Sequence, residues 1–187
     1  MNEPLYVPGT MQKLTYKEIL ARQRAKQADR KCIPLVVILN HIRSLYNVGS
    51  IFRTADAIGI EKLWLCGITG TPGTSRTTIS KTALGAEKAV NWEYAWDALS
   101  VAQVYKDHGY EIVLLEQIKG ARPYQLYRPS KPVCLVLGNE VEGVSDEFLK
   151  LCDVPVEIEM TGLKNSLNVS VAFGIVAYDI KRKMSNR

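Results

Sequence analysis

The chain of 187 residues has few of the features that mark membrane, disulfide-bonded or metal-binding proteins. No apolar run approaches the roughly 20 residues that cross a membrane, and the first residues lack the basic and then apolar order of a signal peptide. The four cysteines are scattered without a C-x-x-C pair, and only two histidines are present, so we expect neither a metal site nor a disulfide framework. A reducing, cytoplasmic location fits this composition.

The motifs of several enzyme classes are also missing. The sequence contains no G-x-x-x-x-G-K-[ST] phosphate loop and no G-x-S-x-G nucleophile elbow. Gly67, Gly70 and Gly73 follow an apolar run, but their spacing is not that of a dinucleotide-binding loop. Without a Ser-His-Asp or Cys-His pattern, hydrolysis through a covalent intermediate has little support.

Positive charge is in modest excess, with 24 Lys and Arg against 19 Asp and Glu, and this balance permits nucleic acid as a partner. Residues 11–31 are predicted to form a basic helix. It is either a solvated surface helix or an arm that binds RNA through Lys17, Arg22, Arg24 and Lys26. We expect this helical extension to span residues 1–32 and one globular domain to span residues 33–187.

Strands and helices alternate after Pro34. Continuous apolar runs predict buried parallel strands at residues 35–39, 62–66, 111–115, 133–137 and 154–158. Helices are predicted at residues 47–58, 94–107, 146–149 and 166–182, and residues 67–76 are expected to form a flexible loop. The alternation predicts an α/β domain with a mainly parallel sheet and helices on both faces.

The last predicted helix is apolar all round, which is typical of a buried helix. A helix at the end of a chain usually has an exposed side. Either the rest of the domain or a second copy of the chain is therefore expected to cover it.

The first of three unusual clusters lies at residues 47–58. Arg53 points away from the predicted core face of this helix, and Asn47 is suited to cap the helix. Gly49 lowers helix stability in the first turn, so it predicts close approach of another backbone or of a ligand. The core face follows helical spacing and comprises Val48, Ile51, Phe52, Ala55 and Ile58.

The second cluster is the segment from Gly138 to Ser145, directly after the apolar strand at residues 133–137. Ligands of parallel α/β sheets gather at the carboxyl ends of strands. The two glycines that flank Glu140 and Glu142 allow tight folding around a ligand. The alternative is an ordinary strand-to-helix loop in which Ser145 caps the next helix.

The third cluster lies where the last helix begins and contains Asn165, Ser166, Asn168 and Ser170. One such residue is enough to cap a helix. The surplus of polar side chains therefore indicates a binding or catalytic site.

Together and in this order, the three clusters resemble the SpoU (TrmH) family of RNA ribose methyltransferases in the SPOUT superfamily. The matching motifs are N-x-G-x-x-x-R-T-A from Asn47, L-G-N-E-x-x-G from Leu137, and I-x-M-x-G-x-x-x-S-L-N-V-S-V-A from Ile158. The resemblance implies an α/β domain with a C-terminal trefoil knot (the SPOUT fold). It also implies S-adenosyl-L-methionine as the cofactor and methyl transfer to a ribose 2′-hydroxyl of RNA.

The resemblance also implies roles for individual residues. The family is typically homodimeric, with Arg53 reaching toward the cofactor site of the other subunit. Positions that match cofactor contacts are Gly138, Ile158, Leu167, Leu137, Met160 and Gly143. Positions that match catalytic or substrate contacts are Asn47, Arg53, Glu140, Ser166 and Asn168.

Arg53 is often given the role of base in this family, but a guanidinium does not readily lose its proton. We therefore expect Arg53 to stabilise a developing alkoxide or to hold a phosphate. Glu140 is expected to orient Arg53 or Asn168. Glu159 stands where the family commonly has proline.

The short basic extension favours tRNA over rRNA as the substrate. Two alternatives stay open at this point. One is an RNA base methyltransferase of the same superfamily, and the other, less favoured, is a non-catalytic RNA-binding factor with the same fold.

Overall fold

A computed structural model describes residues 12–28, 32–74, 76–139 and 142–185. The chain divides into two units, residues 1–31 and residues 32–187, which are described separately. In the first unit, helix α1 spans Tyr16–Ala28, so the predicted helix begins too early, since residues 12–15 are not helical. Residues 11 and 29–31 of that prediction lie outside the described residues. Its first turn is held by a capping box, in which the Thr15 amide donates to Glu18 Oε2 at 2.7 Å and the Glu18 amide donates to Thr15 Oγ1 at 3.3 Å.

The second unit is built on a seven-stranded sheet in which every pair of neighbouring strands is parallel. The strands are β1 (Ile33–Asn40), β2 (Ile60–Cys66), β3 (Trp92–Ala95), β4 (Glu111–Leu115), β5 (Arg122–Pro123), β6 (Val133–Leu137) and β7 (Val154–Glu157). Their order is β3-β2-β1-β6-β4-β7-β5. The predicted parallel sheet is confirmed.

Helices cover both faces of the sheet, as the alternation in the sequence predicts. They are α2 (Leu45–Ile58), α3 (Arg76–Ala83), α4 (Ala98–Asp107), α5 (Asp146–Leu151) and α6 (Val169–Ser185). Short 3-10 turns lie at Ala86–Lys88 and Tyr124–Leu126. The trefoil knot stays a prediction.

Two apolar cores lie on opposite sides of the sheet. Alternate residues of β1 enter different cores: Leu35 and Leu39 pack with α2, α3 and α6, whereas Val36 and Ile38 pack with α4 and α5. Residues buried on both faces of a sheet need no polar alternation. This explains the continuous apolar run of β1.

None of the helices in the described part of the chain combines the length and the apolarity that a membrane crossing requires. In the same part of the chain, no group of three His, Cys, Asp or Glu side chains is arranged to hold a metal ion. The four cysteines are unpaired.

The predicted helix at residues 94–107 begins too early. Tyr94 lies in β3, which pairs with β2 at the edge of the sheet. The strand ends at Ala95, and Asp97 starts α4, because its Oδ1 accepts from the Leu99 amide at 2.9 Å. The predicted flexible loop at residues 67–76 is also too long at its end, since α3 begins at Arg76.

Helix α6 is buried on one side only, so the rest of the described domain does not cover it completely. Phe173 and Val176 lie in the core, whereas the side chains of Val171 and Tyr178 are each 50% exposed. The exposed side of α6 carries apolar residues that the described part of this chain leaves uncovered.

Gly49 allows α2 and α3 to pack closely. A Cβ atom at this position would lie 2.1 Å from Thr82 Oγ1 and 2.4 Å from the Ile79 carbonyl oxygen. The Thr82 hydroxyl also donates to the Tyr46 carbonyl oxygen at 3.0 Å and joins the two helices. The close approach predicted at Gly49 is therefore that of another backbone.

We expect Gly49→Ala to lower the free energy of unfolding by about 1–3 kcal/mol, because the added methyl group overpacks the α2–α3 contact. Chemical denaturation measures this change. Gly174→Ala in α6 is the matched control, since its Cβ would meet only the Thr54 methyl group at 3.9 Å. That variant should be as stable as the wild type or gain up to about 1 kcal/mol from helix propensity. Equal effects of the two substitutions would contradict the packing argument.

Candidate functional site

A cavity of about 500 Å³ lies at the carboxyl ends of three neighbouring strands. Leu137 ends β6, Leu115 ends β4 and Glu157 ends β7, and all three line the cavity. Ligands of parallel sheets bind at this edge, and the volume suits a small organic molecule. The cavity brings together residues from all three clusters found in the sequence.

The loop after β6 forms one wall and is folded on itself. Asn139 and Gly143 exchange two backbone hydrogen bonds, each of 3.0 Å. A Cβ on Gly138 would lie 2.4 Å from the Gly143 carbonyl carbon, and Gly143 has a φ of 67°. Both glycines are therefore required by the backbone, which presents peptide groups to the cavity without intervening side chains.

The loop between β7 and α6 forms the opposite wall through Ile158, Met160 and Leu167. Gln117 Nε2 donates to the Asn165 carbonyl oxygen at 2.6 Å and so ties this loop to the segment after β4. Most of the loop is exposed to solvent.

Asn168 caps α6 and contacts the first cluster. Its Oδ1 accepts from the Ser170 amide at 2.9 Å and from the Ser170 hydroxyl at 2.7 Å. Its Nδ2 donates to Asn47 Oδ1 at 3.0 Å. The helix therefore begins at Val169 and not at Ser166, and Ser166 and Leu167 lie in the loop that lines the cavity.

The prediction that Asn47 caps α2 is wrong, because Ser44 has that position. Ser44 has an extended backbone with a φ of −78°, and its hydroxyl accepts from the Asn47 amide at 3.3 Å. Asn47 lies inside the first turn, where its side chain is available to bond Asn168. Ser145 is at the N-cap position of α5, but its hydroxyl makes no capping bond.

The predicted site residues fall into three groups. All six predicted cofactor contacts line the cavity, and so do Asn47, Ser166 and Asn168 among the predicted catalytic residues. Arg53 does not line it and is exposed on α2, and Glu140 lies outside the described residues. On α1, Lys17 and Arg22 are exposed. The side chains of Arg24 and Lys26 are not among those that the structure describes.

Sequence reasoning missed Glu116, Gln117 and Glu157, which also line the cavity. Glu116 Oε1 accepts from the Gln117 amide at 2.9 Å, and the carboxylate packs against the Cα of Gly143. Glu116 and Gln117 are the first two residues after the predicted strand at 111–115, and Glu157 is the last residue but one of the strand predicted at 154–158. The rule that ligands bind at carboxyl ends of strands was enough to find them.

The family model of the SpoU rRNA Methylase family matches residues 34–178. The chain belongs to this family. The resemblance drawn from the three motifs is therefore confirmed. The tRNA (guanosine(18)-2′-O)-methyltransferase of Aquifex aeolicus is 29% identical over 177 residues, which are 95% of this chain and 82% of that protein.

Solved structures of the family share the fold. The A. aeolicus TrmH/SpoU tRNA modifying enzyme has a TM-score of 0.75 at 28% identity. The match covers 89% of this chain and 85% of that protein. An AdoMet-bound rRNA methyltransferase from Sinorhizobium meliloti has a TM-score of 0.74 at 28% identity, over 82% of this chain and 57% of that one.

We expect Asn168→Ala to lower the free energy of unfolding by about 1 kcal/mol, because the helix loses its capping oxygen. Asn168→Asp keeps an acceptor at the same position and should retain most of the stability, since a carboxylate also suits a helix N-terminus. Urea denaturation of both variants measures the difference. If Asn168→Asp is as unstable as Asn168→Ala, the bond to Asn47 and not the cap fixes the start of α6.

Proposed function

We propose that this chain is an S-adenosyl-L-methionine-dependent methyltransferase that methylates a ribose 2′-hydroxyl of RNA, with tRNA favoured over rRNA. The observation that carries the proposal is the composition of one cavity. Backbone-lined walls for a cofactor lie there beside three polar side chains, Asn47, Ser166 and Asn168.

The residues of the cavity fit the cofactor. A loop that packs backbone on backbone at Gly138 and Gly143 offers amide and carbonyl groups to an adenosine. The carboxylates of Glu116 and Glu157 line the same space and favour a positively charged ligand. When bound, the cofactor supplies a methyl group on a positively charged sulfur, and the chain's own residues must bring a nucleophile in line with it.

The polar side of the cavity suits the orientation of a hydroxyl. Asn168 is fixed by its cap and by its bond to Asn47, so both amides are held without help from a ligand. Ser166 stands two residues earlier, at the cavity wall. Glu140, from the loop after β6, is proposed to orient Arg53 or Asn168.

We infer that the active unit is a homodimer. The uncovered apolar side of α6, with Val171 and Tyr178 half-exposed, needs a partner surface. Arg53 is exposed and outside the cavity of its own chain. In a dimer Arg53 enters the cavity of the other subunit, where its donors stabilise the alkoxide or hold a phosphate of the RNA.

The preference for tRNA rests on similarity. The match to the A. aeolicus tRNA modifying enzyme covers 85% of that protein, whereas the match to the S. meliloti rRNA methyltransferase covers 57% of that protein. The residues of α1, including Lys17 and Arg22, are proposed to contact the RNA backbone. The proposed cellular location is the cytoplasm.

We expect Gly138→Ala to weaken S-adenosyl-L-methionine binding at least about tenfold, because the methyl group displaces the loop that forms the cavity wall. Isothermal titration calorimetry measures the affinity, and thermal unfolding without ligand shows that the variant is folded. Gly162→Ala is the control, since its Cβ would meet no atom within 4 Å. If Gly138→Ala binds S-adenosyl-L-methionine with unchanged affinity, the loop after β6 is not part of the cofactor site.

We expect Arg53→Ala to abolish methyl transfer while the dimer and cofactor affinity are retained. Mixing it with Gly138→Ala should restore about a quarter of the wild-type rate, because in a mixed dimer one site has an intact cavity and the partner's Arg53. If Arg53 serves its own chain, the mixture stays inactive.

The readout is nucleoside analysis of digested tRNA after reaction with labelled cofactor. A 2′-O-methylated nucleoside supports the proposed reaction. A methylated base would instead support the alternative of a base methyltransferase, and failure of the wild type to bind cofactor would support a non-catalytic RNA-binding factor.

A further inference from the structure

An exposed tryptophan and a strained histidine meet at the carboxyl edge of the sheet, beside the cavity. Trp96 follows β3 and is 68% exposed, and Ile68, in the loop after β2, is 51% exposed. The rings of His41 and Trp96 contact edge to face, with centroids 6.5 Å apart and an angle of 87°. We call His41, Ile68 and Trp96 the aromatic platform.

The backbone holds the platform in one conformation. His41 has a φ of 59°, which is uncommon for a residue other than glycine and is found where surrounding structure enforces it. The Ile68 amide donates to His41 Nδ1 at 3.4 Å. A Cβ on Gly67 would lie 2.3 Å from the His41 ring, so the ring rests directly on this glycine.

Further bonds fix the two loops that carry the platform. The buried Thr69 hydroxyl donates to the Leu39 carbonyl oxygen at 3.1 Å and accepts from the Ile42 amide at 2.9 Å. The Gly67 amide donates to the carbonyl oxygens of Ala95 and Trp96 at 3.2 and 3.1 Å. The surface is therefore preformed, which lowers the entropy cost of binding a ligand.

The platform is joined directly to the cavity. Asn139 lines the cavity, and its Nδ2 donates to the His41 carbonyl oxygen at 2.9 Å. Asn139 thus joins the wall of the cavity to the backbone of His41, and Trp96 lies farther along the same edge of the sheet, after β3. An RNA strand that places one nucleotide at the cavity can place a nearby nucleotide at the platform.

The other tryptophans have structural roles. The Trp64 indole donates to the Tyr105 hydroxyl at 3.1 Å, and the Trp92 indole donates to the Glu87 carbonyl oxygen at 3.1 Å. Both are partly buried, whereas Trp96 presents its ring to solvent. An exposed, rigidly mounted indole is suited to stack on a flat ring.

The charge next to Trp96 favours a base over a phosphate. Asp97 caps α4, and the hydrogen bond from the Ser100 hydroxyl lowers the pKa of its carboxyl, so it stays ionised at neutral pH. An ionised carboxylate repels a phosphate but not the face of a base. RNA-binding proteins commonly stack unpaired bases on aromatic side chains.

We propose that the aromatic platform stacks an unpaired base of the RNA next to the methylated nucleotide, and that Trp96 thereby positions the substrate. This inference rests on the proposed function. A target ribose can reach the cavity only when its nucleotide is unstacked from its neighbours, and the platform replaces part of the lost stacking for one of them.

The test compares Trp96→Ala, Trp96→Phe and wild type with tRNA isolated from cells that lack this protein. Trp96→Ala should raise the KM for tRNA about 5- to 100-fold, as expected for loss of one base–aromatic stack. The affinity for S-adenosyl-L-methionine and the oligomeric state should not change. Trp96→Phe keeps an aromatic face and should recover most of the loss.

Leu126→Ala is the control for loss of an exposed apolar side chain, since Leu126 is 65% exposed away from the platform. It should leave the KM unchanged. Tryptophan fluorescence gives a second readout, because tRNA should quench Trp96 in the wild type and this quenching should disappear in Trp96→Phe.

Each remaining outcome has a distinct meaning. If Trp96→Ala binds tRNA as tightly as the wild type and tRNA still quenches its tryptophan fluorescence to the same extent, the stacking role of Trp96 is wrong. The proposed function is unaffected by that result. A changed oligomeric state in Trp96→Ala assigns the surface to a subunit contact and overturns the platform as well. A wild-type protein that neither binds nor methylates RNA overturns the proposed function together with this inference.

Discussion

The parallel pairing of β6 with β1 on one side and β4 on the other is the constraint on which the site depends. In this register Leu137 of β6 is opposite Leu39 of β1 and Leu115 of β4. All three strands therefore end at the same level, and the loops that follow them meet. A shift of β6 by one residue would exchange Leu135 and Leu137, which pack in one core, with the smaller Cys134 and Val136, which pack in the other, so side-chain size favours this register.

The features of the site follow from that common level. Gly138 comes directly after Leu137, Glu116 directly after Leu115, and His41 two residues after Leu39. Where three chain segments leave a sheet side by side, there is little room for side chains between them. Gly138 accordingly lets the loop after β6 fold back on Gly143, and Gly67, which follows the neighbouring strand β2, lets the His41 ring lie against the backbone.

Much of the fold is predictable from the sequence, for identifiable reasons. The strands at Glu111–Leu115 and Val133–Leu137 coincide with the prediction because each is a short apolar run with clear limits, Glu111 and Glu116 for the first and Pro132 and Gly138 for the second. Strand β3 is missed because it has four residues at the edge of the sheet, where Glu93 and Tyr94 are exposed. An edge strand with one polar side has no apolar run to reveal it.

The site is less predictable, because the decisive facts are contacts between distant segments. Ser44 and Asn47 are both suited to cap α2, and only the backbone conformation decides between them. The exposure of Arg53 follows from helical periodicity, but the surface that it serves does not. The roles taken from the family resemblance go beyond anything that spacing within one sequence provides.

The polar residues at the start of α6 show why stability and function are difficult to separate here. Asn168 caps the helix with its oxygen and bonds Asn47 with its nitrogen, so one side chain fixes the helix and holds the other amide at the cavity. A capping oxygen alone is supplied equally well by serine or aspartate. An amide carries the acceptor and the donor on two separate atoms, so Oδ1 caps the helix while Nδ2 reaches Asn47. The structural requirement therefore explains a polar residue at this position, and the choice of asparagine follows from the contact with the first cluster.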